Sequence, residues 1–286
     1  MAFKVLARLV PGEYTRYLRE SFDDSNFELV LLDDAHAAEW PKLFLDISPA
    51  AVINFRPIED ERHECSTIQT LVDLCESGSV PFLYFSSYQV FGQCDDAQEL
   101  IEVDELNGDD QNPWQACEAL CSKLEKHIIL RLSWVLGGEF ENVLHRFLPP
   151  LLERSAMFVS DHNFGRPLHV KNIADATVAL IQQVQCDAAN WGVFHLHASD
   201  KCSEAEITDT LVRLLNSDFD MNLEMPSVAA PGDERRLLAG SACLSGERLT
   251  RNFGVQCSSW RKGLKVAVAN ALEAHNAEEG QELKGS

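Results

Sequence analysis

The chain has 286 residues, 45% of them hydrophobic and 24% charged, which suits one large α/β domain or a main domain with a smaller lobe. Its 45 acidic residues outnumber 24 Lys and Arg residues, giving a formal net charge of −21 at pH 7. Such a chain repels phosphate, so we expect neither nucleic acid nor an anionic membrane surface as a partner. An anionic small ligand would need a local basic pocket or a helix N-terminus.

The cysteine pattern and the hydropathy bear on location. The nine cysteines include no Cys-x-x-Cys pair, so they predict reduced thiols instead of a disulfide scaffold. The first residues lack a signal-peptide cleavage pattern, and no apolar run approaches the ~20 residues of a membrane span. These features predict a cytoplasmic protein with no membrane partner.

Strand and helix patterns alternate along the first half of the chain. Short apolar runs predict strands at 3–10, 27–32, 50–55 and 128–136, and a further buried strand from Val80 that delivers Ser86 and Ser87 into a turn. Helical spacing predicts helices at 13–22, 40–45, 67–75 and 112–126. Strands that are apolar on both faces are typical of a parallel sheet covered by helices, so we predict a doubly wound α/β fold.

The second half is less regular. It predicts a helix at 141–152 broken at Pro149-Pro150, a strand at 193–196, and a helix at 203–215 whose Ser203 and Glu206 fit a capping box. A last helix is predicted at 258–274, capped by Ser258 or Ser259. The polar residues 275–286 predict a disordered tail.

Several segments resemble one enzyme family. Arg131 to Gly137 reads Arg-Leu-Ser-Trp-Val-Leu-Gly, where family members have Arg-Thr-Ser-Trp-Val-Tyr-Gly. Other family-like segments follow in the family's order: Glu102 to Glu105, Asn112-Pro113, Gly165 to Ala174, Val193 to Leu196 and Ser259 to Leu264. From about residue 3 to about residue 270, the chain therefore resembles the dTDP-4-dehydrorhamnose reductase branch of the extended short-chain dehydrogenases/reductases.

This resemblance implies a domain organisation. It places a Rossmann-type, NAD(P)-binding-like domain at 1–140, with return segments at about 165–198. It places a smaller, interleaved substrate lobe at 141–274. The fold class it implies is the doubly wound parallel sheet already predicted from the strand pattern.

The cofactor loop departs from the family pattern. The family has Gly-x-x-Gly-x-x-Gly between the first strand and helix, where glycines let the backbone approach a pyrophosphate. Leu9, Gly12 and Thr15 stand at these positions, and Glu13 adds negative charge. Gly12 remains a candidate cofactor-binding residue, and Arg8 could partly compensate the charge. We expect NAD(P) binding to be weak or lost.

Asp33 and Asp34 end the second predicted strand. The family has an acidic residue here that bonds the adenosine ribose, so both are candidate cofactor-binding residues. Equally, Asp33 and Asp34 can be polar residues that end a strand and begin a loop without binding a cofactor.

The catalytic set is degenerate. In the family a serine, a tyrosine and a lysine four residues later bind and protonate the substrate oxygen. Ser87 aligns with the serine, but the tyrosine and lysine positions fall on Cys117 and Cys121, and no tyrosine follows Tyr88. Tyr88 or the Cys117 thiol could supply a proton. Alternatively, the two cysteines are packing residues in a filled site.

Further candidates concern the substrate and metals. The resemblance implies substrate-binding roles for Asn142, Arg235 and Arg236, the arginines contacting nucleotide phosphates, although Arg235 and Arg236 also suit a solvated loop. His195 and His197 lie two apart on a predicted strand, but no third ligand accompanies them, so we predict no metal site.

Two principal functions remain open. The first is an atypical nucleotide-sugar-binding or regulatory protein that has lost reductase catalysis and binds a nucleotide sugar or a protein partner. The alternative is an active NAD(P)-dependent nucleotide-sugar reductase or epimerase with rewired acid catalysis. A third would retain the cofactor as a redox sensor without turnover.

Overall fold

The computed structural model describes residues 2–23, 25–92, 98–106, 112–138, 142–186, 188–230, 237–238, 240 and 242–285, with only the backbone from 278 onward. Its strands are β1 Phe3–Leu9, β2 Phe27–Leu31, β3 Ala51–Phe55, β4 Phe82–Ser87, β5 His127–Leu132, β6 Val135–Leu136, β7 Phe158–Val159, β8 Phe164–Gly165, β9 Leu168–His169, β10 Gly192–Leu196, β11 Cys202–Ser203 and β12 Ser227–Val228. Its helices are α1 Glu13–Asp23, α2 Trp40–Ile47, α3 Glu61–Gly78, α4 Pro113–Cys121, α5 Val143–Leu152, α6 Val170–Gln185, α7 Glu204–Phe219, α8 Glu247–Phe253 and α9 Leu264–Gly285.

The central sheet has six parallel strands in the order β2-β1-β3-β4-β5-β10. Helices cover both faces, which explains why β3 is buried along its whole length. The predicted doubly wound α/β fold is therefore confirmed. The strand order reverses between β1 and β3, because the chain goes from β1 to β2 on one side and returns to β3 on the other. In sheets of this kind ligands bind outside the carboxyl ends of the strands at this switch point.

Three hydrophobic clusters hold the fold together. One lies on the sheet face covered by α1 and α6, and a second lies on the opposite face between the sheet, α3 and α4. A third is built mostly from residues 134 onward, including Trp134, Phe147, Leu211 and Trp260. None of the helices in the described part of the chain combines the length and apolar character that a bilayer crossing demands.

Some predicted boundaries are wrong. Pro149 and Pro150 lie inside α5 instead of breaking it, and the helix ends only two residues later. The predicted strand 128–136 splits into β5 and β6, because Ser133 and Trp134 leave the sheet and Val135–Leu136 pairs with β9. The predicted helix 112–126 ends at Cys121, where the Ser122 hydroxyl donates to the Glu118 carbonyl.

The C-terminal segment also differs from prediction. The last helix begins at Leu264, so neither Ser258 nor Ser259 caps it. It continues through 275–285, where the sequence predicts a disordered tail; Ala, Glu, Gln, Leu and Lys in this segment are good helix formers. In α7, by contrast, the predicted N-cap is confirmed, since Ser203 Oγ accepts a hydrogen bond from the Glu206 amide at 3.1 Å.

Candidate functional site

A network of ion pairs lies at the carboxyl ends of β1 and β3, at the switch point of the sheet. Arg8, near the carboxyl end of β1, is 2% exposed and pairs in register with Asn54 of β3. Its Nε and Nη2 donate to the two carboxylate oxygens of Asp34 at 2.7 and 2.9 Å. Its Nη1 donates to Asn54 Oδ1 at 2.9 Å and to the Glu64 carboxylate of α3 at 2.8 Å. Arg56 adds a second guanidinium to Asp34 at 2.8 Å. We call Arg8, Asp34, Asn54, Arg56 and Glu64 the switch-point network.

The network favours the charged forms of Arg8 and Asp34. Burial alone would lower the pKa of Arg8, but the hydrogen bonds and charges of Asp34 and Glu64 outweigh it and raise that pKa. Burial alone would raise the pKa of Asp34, but Arg8 and Arg56 lower it below its ordinary value. Asp33, in contrast, is exposed, and the Ala35 amide and His36 lower its pKa. Asp34 is therefore engaged by two arginines, while Asp33 closes a local turn.

The loop between β1 and α1 carries a fixed carboxylate. Gly12 has φ +154°, a conformation that L side chains rarely adopt, and it leads directly into α1. The Glu13 carboxylate at the start of α1 accepts hydrogen bonds from the Gly138 amide at 2.8 Å and from Asn270 Nδ2 at 2.7 Å. The Glu13 carboxylate thus lies at the N-terminus of α1. In other proteins this position of a helix can bind an anionic ligand, because the helix dipole and free amide groups attract negative charge.

A cavity of about 260 Å³ opens at the carboxyl ends of β3, β4 and β5, and we call it the strand-end cleft. Its lining combines aromatic with polar side chains: Phe55, Phe85, Tyr88, Trp114 and Trp134 together with Arg56, Ser86, Ser87, Gln89, Asn142 and Arg146. One of its buried polar atoms, Ser86 Oγ, has no hydrogen-bond partner among the described residues. The cleft therefore brings aromatic faces, two guanidinium groups and an unused hydroxyl together, in a chain that is otherwise strongly acidic.

Ser87 and Tyr88 both line this cleft. Ser87 Oγ accepts a hydrogen bond from the Gln89 amide at 3.2 Å. Tyr88 is buried, and desolvation raises the pKa of its phenol well above the ordinary value. The turn that carries them is fastened to α4, because Trp114 Nε1 donates to Gln89 Oε1 at 3.0 Å.

Cys117 and Cys121 do not line the cleft. Both are fully buried in the cluster between α3, α4 and the sheet, where the Cys117 Sγ lies 3.9 Å from the Cys65 Sγ of α3. Burial raises the pKa of both thiols. The residue of α4 that lines the cleft is instead Trp114, one turn earlier.

The structure also places the predicted substrate residues. Asn142 lines the cleft and caps α5, accepting from the Leu144 amide at 2.8 Å and donating to the Gly138 carbonyl at 3.0 Å. Arg235 and Arg236 lie outside the described residues.

Sequence reasoning missed Arg56 and Arg146 as cleft residues. Arg56 had a usable signal, since it directly follows the predicted strand 50–55 and so stands at a carboxyl strand end. Arg146 lies one turn into α5, and only the docking of that helix shows that it reaches the cleft.

The two strand histidines lie elsewhere. His195 is fully buried on β10, and burial, together with the nearby Arg131, lowers its pKa to about 3, so the ring is neutral at pH 7. His197 Nδ1 is 2.6 Å from the Ala198 carbonyl oxygen.

The six-stranded parallel sheet with a cleft at its strand ends defines a Rossmann-type α/β protein. The chain belongs to the RmlD substrate binding domain family, which matches residues 18–273.

Known relatives agree with this assignment. The dTDP-4-dehydrorhamnose reductase of Escherichia coli is 28% identical over 153 residues, a region covering 52% of this chain and 50% of that protein. The chain thus spans about half the length of this curated relative.

Solved structures resemble the whole fold. A dTDP-4-dehydrorhamnose reductase from Clostridium acetobutylicum superimposes with a TM-score of 0.74 at 18% identity, covering 93% of this chain and 99% of that one. The Bordetella bronchiseptica enzyme WbmG, solved in complex with NAD and UDP, gives a TM-score of 0.71 at 14% identity, covering 96% and 95%.

Proposed function

We propose that this protein binds a nucleotide sugar in the strand-end cleft and has lost reductase catalysis, so that it acts as an atypical binding or regulatory member of its family. The observation that carries the proposal is the switch-point network. It occupies the crevice between the carboxyl ends of β1, β2 and β3, where a Rossmann-type protein receives the adenosine half of its dinucleotide.

The network makes a dinucleotide unfavourable in two ways. A ribose would have to compete for Asp34 with two arginines, and withdrawing Asp34 would leave the buried Arg8 with one partner fewer. A pyrophosphate over the start of α1 would lie near the Glu13 carboxylate, which already takes the Gly138 amide. The described residues therefore fit a family-type dinucleotide poorly.

The position of the proton donor supports the same proposal. When bound, a nicotinamide would supply hydride, but the developing alkoxide also needs an acid within hydrogen-bond reach. Cys117 is buried away from the cleft and its pKa is raised, so its thiol is badly placed and weakly acidic. No described lysine lines the cleft to lower the pKa of another donor.

The chemistry of the cleft supports a nucleotide sugar as ligand. Two guanidinium groups line the cleft, that of Arg146 and that of Arg56, which would share its charge between Asp34 and a ligand phosphate. Trp114 and Trp134 supply flat apolar faces for a ring, and Ser86 and Asn142 supply polar groups for hydroxyls. Its volume of about 260 Å³ holds one ring with an attached anionic group, so only part of a nucleotide sugar would lie inside the cleft.

One observation favours the alternative of an active NAD(P)-dependent reductase or epimerase. The Tyr88 phenol stands beside Ser87 on the cleft wall and could replace the missing tyrosine. Its raised pKa makes it a weaker acid than a solvated phenol, so we place this alternative second.

Calorimetric titration with UDP-glucose and dTDP-glucose tests the proposal. We expect saturable binding that Trp114→Leu weakens by about tenfold, equivalent to ~1.4 kcal/mol, because the variant loses an aromatic contact. Trp191→Leu is the matched control, since Trp191 packs on the other face of the sheet outside the cleft and should leave the affinity unchanged. The cleft assignment would be refuted if neither nucleotide sugar binds, or if Trp114→Leu and Trp191→Leu weaken the affinity equally.

A further inference from the structure

Four cysteines share the core between α3, α4 and the sheet: Cys65, Cys75, Cys117 and Cys121. Three of them are fully buried, whereas Cys65 is half-buried. Cys65 stands on α3 and Cys117 on α4, and their Sγ atoms are 3.9 Å apart. These two thiols are thus already in contact across two helices, and one of them belongs to a partly exposed residue.

We propose that Cys65 and Cys117 form a redox-modification site, which a hydroperoxide converts into a disulfide between α3 and α4. Disulfide formation needs the sulfur atoms to approach from 3.9 Å to a bond length of about 2.0 Å. The proposal does not require that a nucleotide sugar binds in the cleft.

The chemistry assigns different roles to the two thiols. Cys65, as thiolate, attacks the hydroperoxide ROOH; a sulfur–oxygen bond forms, the oxygen–oxygen bond breaks, and the departing RO⁻ takes a proton to become ROH. The Cys117 sulfur then attacks the Cys65 sulfenic acid, forming the disulfide and expelling hydroxide, which leaves as water with the Cys117 proton. The sum is two thiols and ROOH giving one disulfide, ROH and H₂O.

Burial supports this order of steps. Desolvation raises the pKa of Cys117, so this residue is a protonated thiol at neutral pH and a poor nucleophile for the first step. Of the two residues only Cys65 is partly exposed, so the hydroperoxide reacts with Cys65 first. Cys117 is the resolving thiol because its sulfur is in contact with that of Cys65.

The linkage would connect two functional regions. Glu64 of the switch-point network directly precedes Cys65 on α3, and Trp114 of the cleft lies one turn before Cys117 on α4. A covalent bond between these helices would hold the network and the cleft wall in one arrangement.

The test treats the reduced full-length protein with hydrogen peroxide and maps its peptides by mass spectrometry. No Lys or Arg lies between His63 and Ser122, so trypsin leaves both cysteines in one fragment, and a glutamate-specific protease is needed to separate them. We expect a cross-linked peptide pair containing Cys65 and Cys117 that disappears after treatment with dithiothreitol.

Variants make the test specific. Cys65→Ser and Cys117→Ser should both abolish the cross-link, and in Cys117→Ser the unresolved Cys65 should accumulate as sulfenic or sulfinic acid. Cys186→Ser, at an exposed cysteine outside this core, is the matched control and should retain the cross-link. Cys65→Ser alters a half-buried position, so it stays informative even if circular dichroism shows that Cys117→Ser unfolds. Pairing of Cys65 with another cysteine, or its over-oxidation without any cross-link in the wild-type protein, would overturn the proposal.

Discussion

Replacement of Arg8 by methionine is expected to lower the free energy of unfolding by about 3–5 kcal/mol, because it leaves buried carboxylate charge without its partner. Glu64 is 3% exposed and takes two hydrogen bonds from the Arg8 guanidinium, so it cannot regain them from water in the folded state. Urea unfolding, monitored by circular dichroism, measures this loss of stability as a lower urea concentration at the midpoint, with the denaturant slope m unchanged.

The control for Arg8→Met is Arg16→Met. Arg16 lies on α1 with half of its side chain exposed, where it stacks on the Tyr17 ring, pairs with Glu20 and lies 4.0 Å from the Glu13 carboxylate, so its loss should change stability by no more than about 1 kcal/mol. Adding Glu64→Gln to Arg8→Met should recover part of the loss, because a neutral amide is cheaper to bury than an unpaired carboxylate. Equal effects of Arg8→Met and Arg16→Met would show that the network does not form.

Introducing the family's tyrosine by Cys117→Tyr is expected to destabilise the protein by about 1–3 kcal/mol or more and to produce no oxidation of NADPH. Cys117 is fully buried among α3, α4 and the sheet, so a phenol ring added there overpacks the core instead of reaching the cleft. Thermal unfolding measures the first effect, and absorbance of the nicotinamide in the presence of a nucleotide-linked ketosugar measures the second.

The same substitution at an exposed cysteine, Cys186→Tyr, controls for the size of the new side chain and should stay within about 0.5 kcal/mol of the wild type. The double variant Cys117→Tyr with Cys121→Lys restores the family's pair. Turnover of a ketosugar by this variant would mean that α4 presents these positions to the cleft, contrary to the structure.

Much of the fold could be predicted because its signals are local. Runs such as Ala51–Phe55, buried on both faces, carry no polar alternation, and this alone favours parallel strands between helices. The Ser203 cap was equally readable, because the capping residue and its partner lie three positions apart.

The site depended on long-range contacts that no spacing reveals. The sequence suggested that Arg8 offers positive charge to a phosphate. In the structure one of its partners is Glu64, which is 56 residues away and meets Arg8 only when α3 docks on the sheet. Spacing correctly put Cys117 and Cys121 on one helix face, but the docking of α4 decides that this face meets α3 and not the cleft.

Calorimetric titration of the wild-type protein with NADPH and NADH is the most direct test of whether the side chains of the switch-point network occupy the place of the dinucleotide. We predict no saturable heat, with any affinity weaker than about 1 mM. Saturable binding of either nicotinamide in the low micromolar range would contradict it.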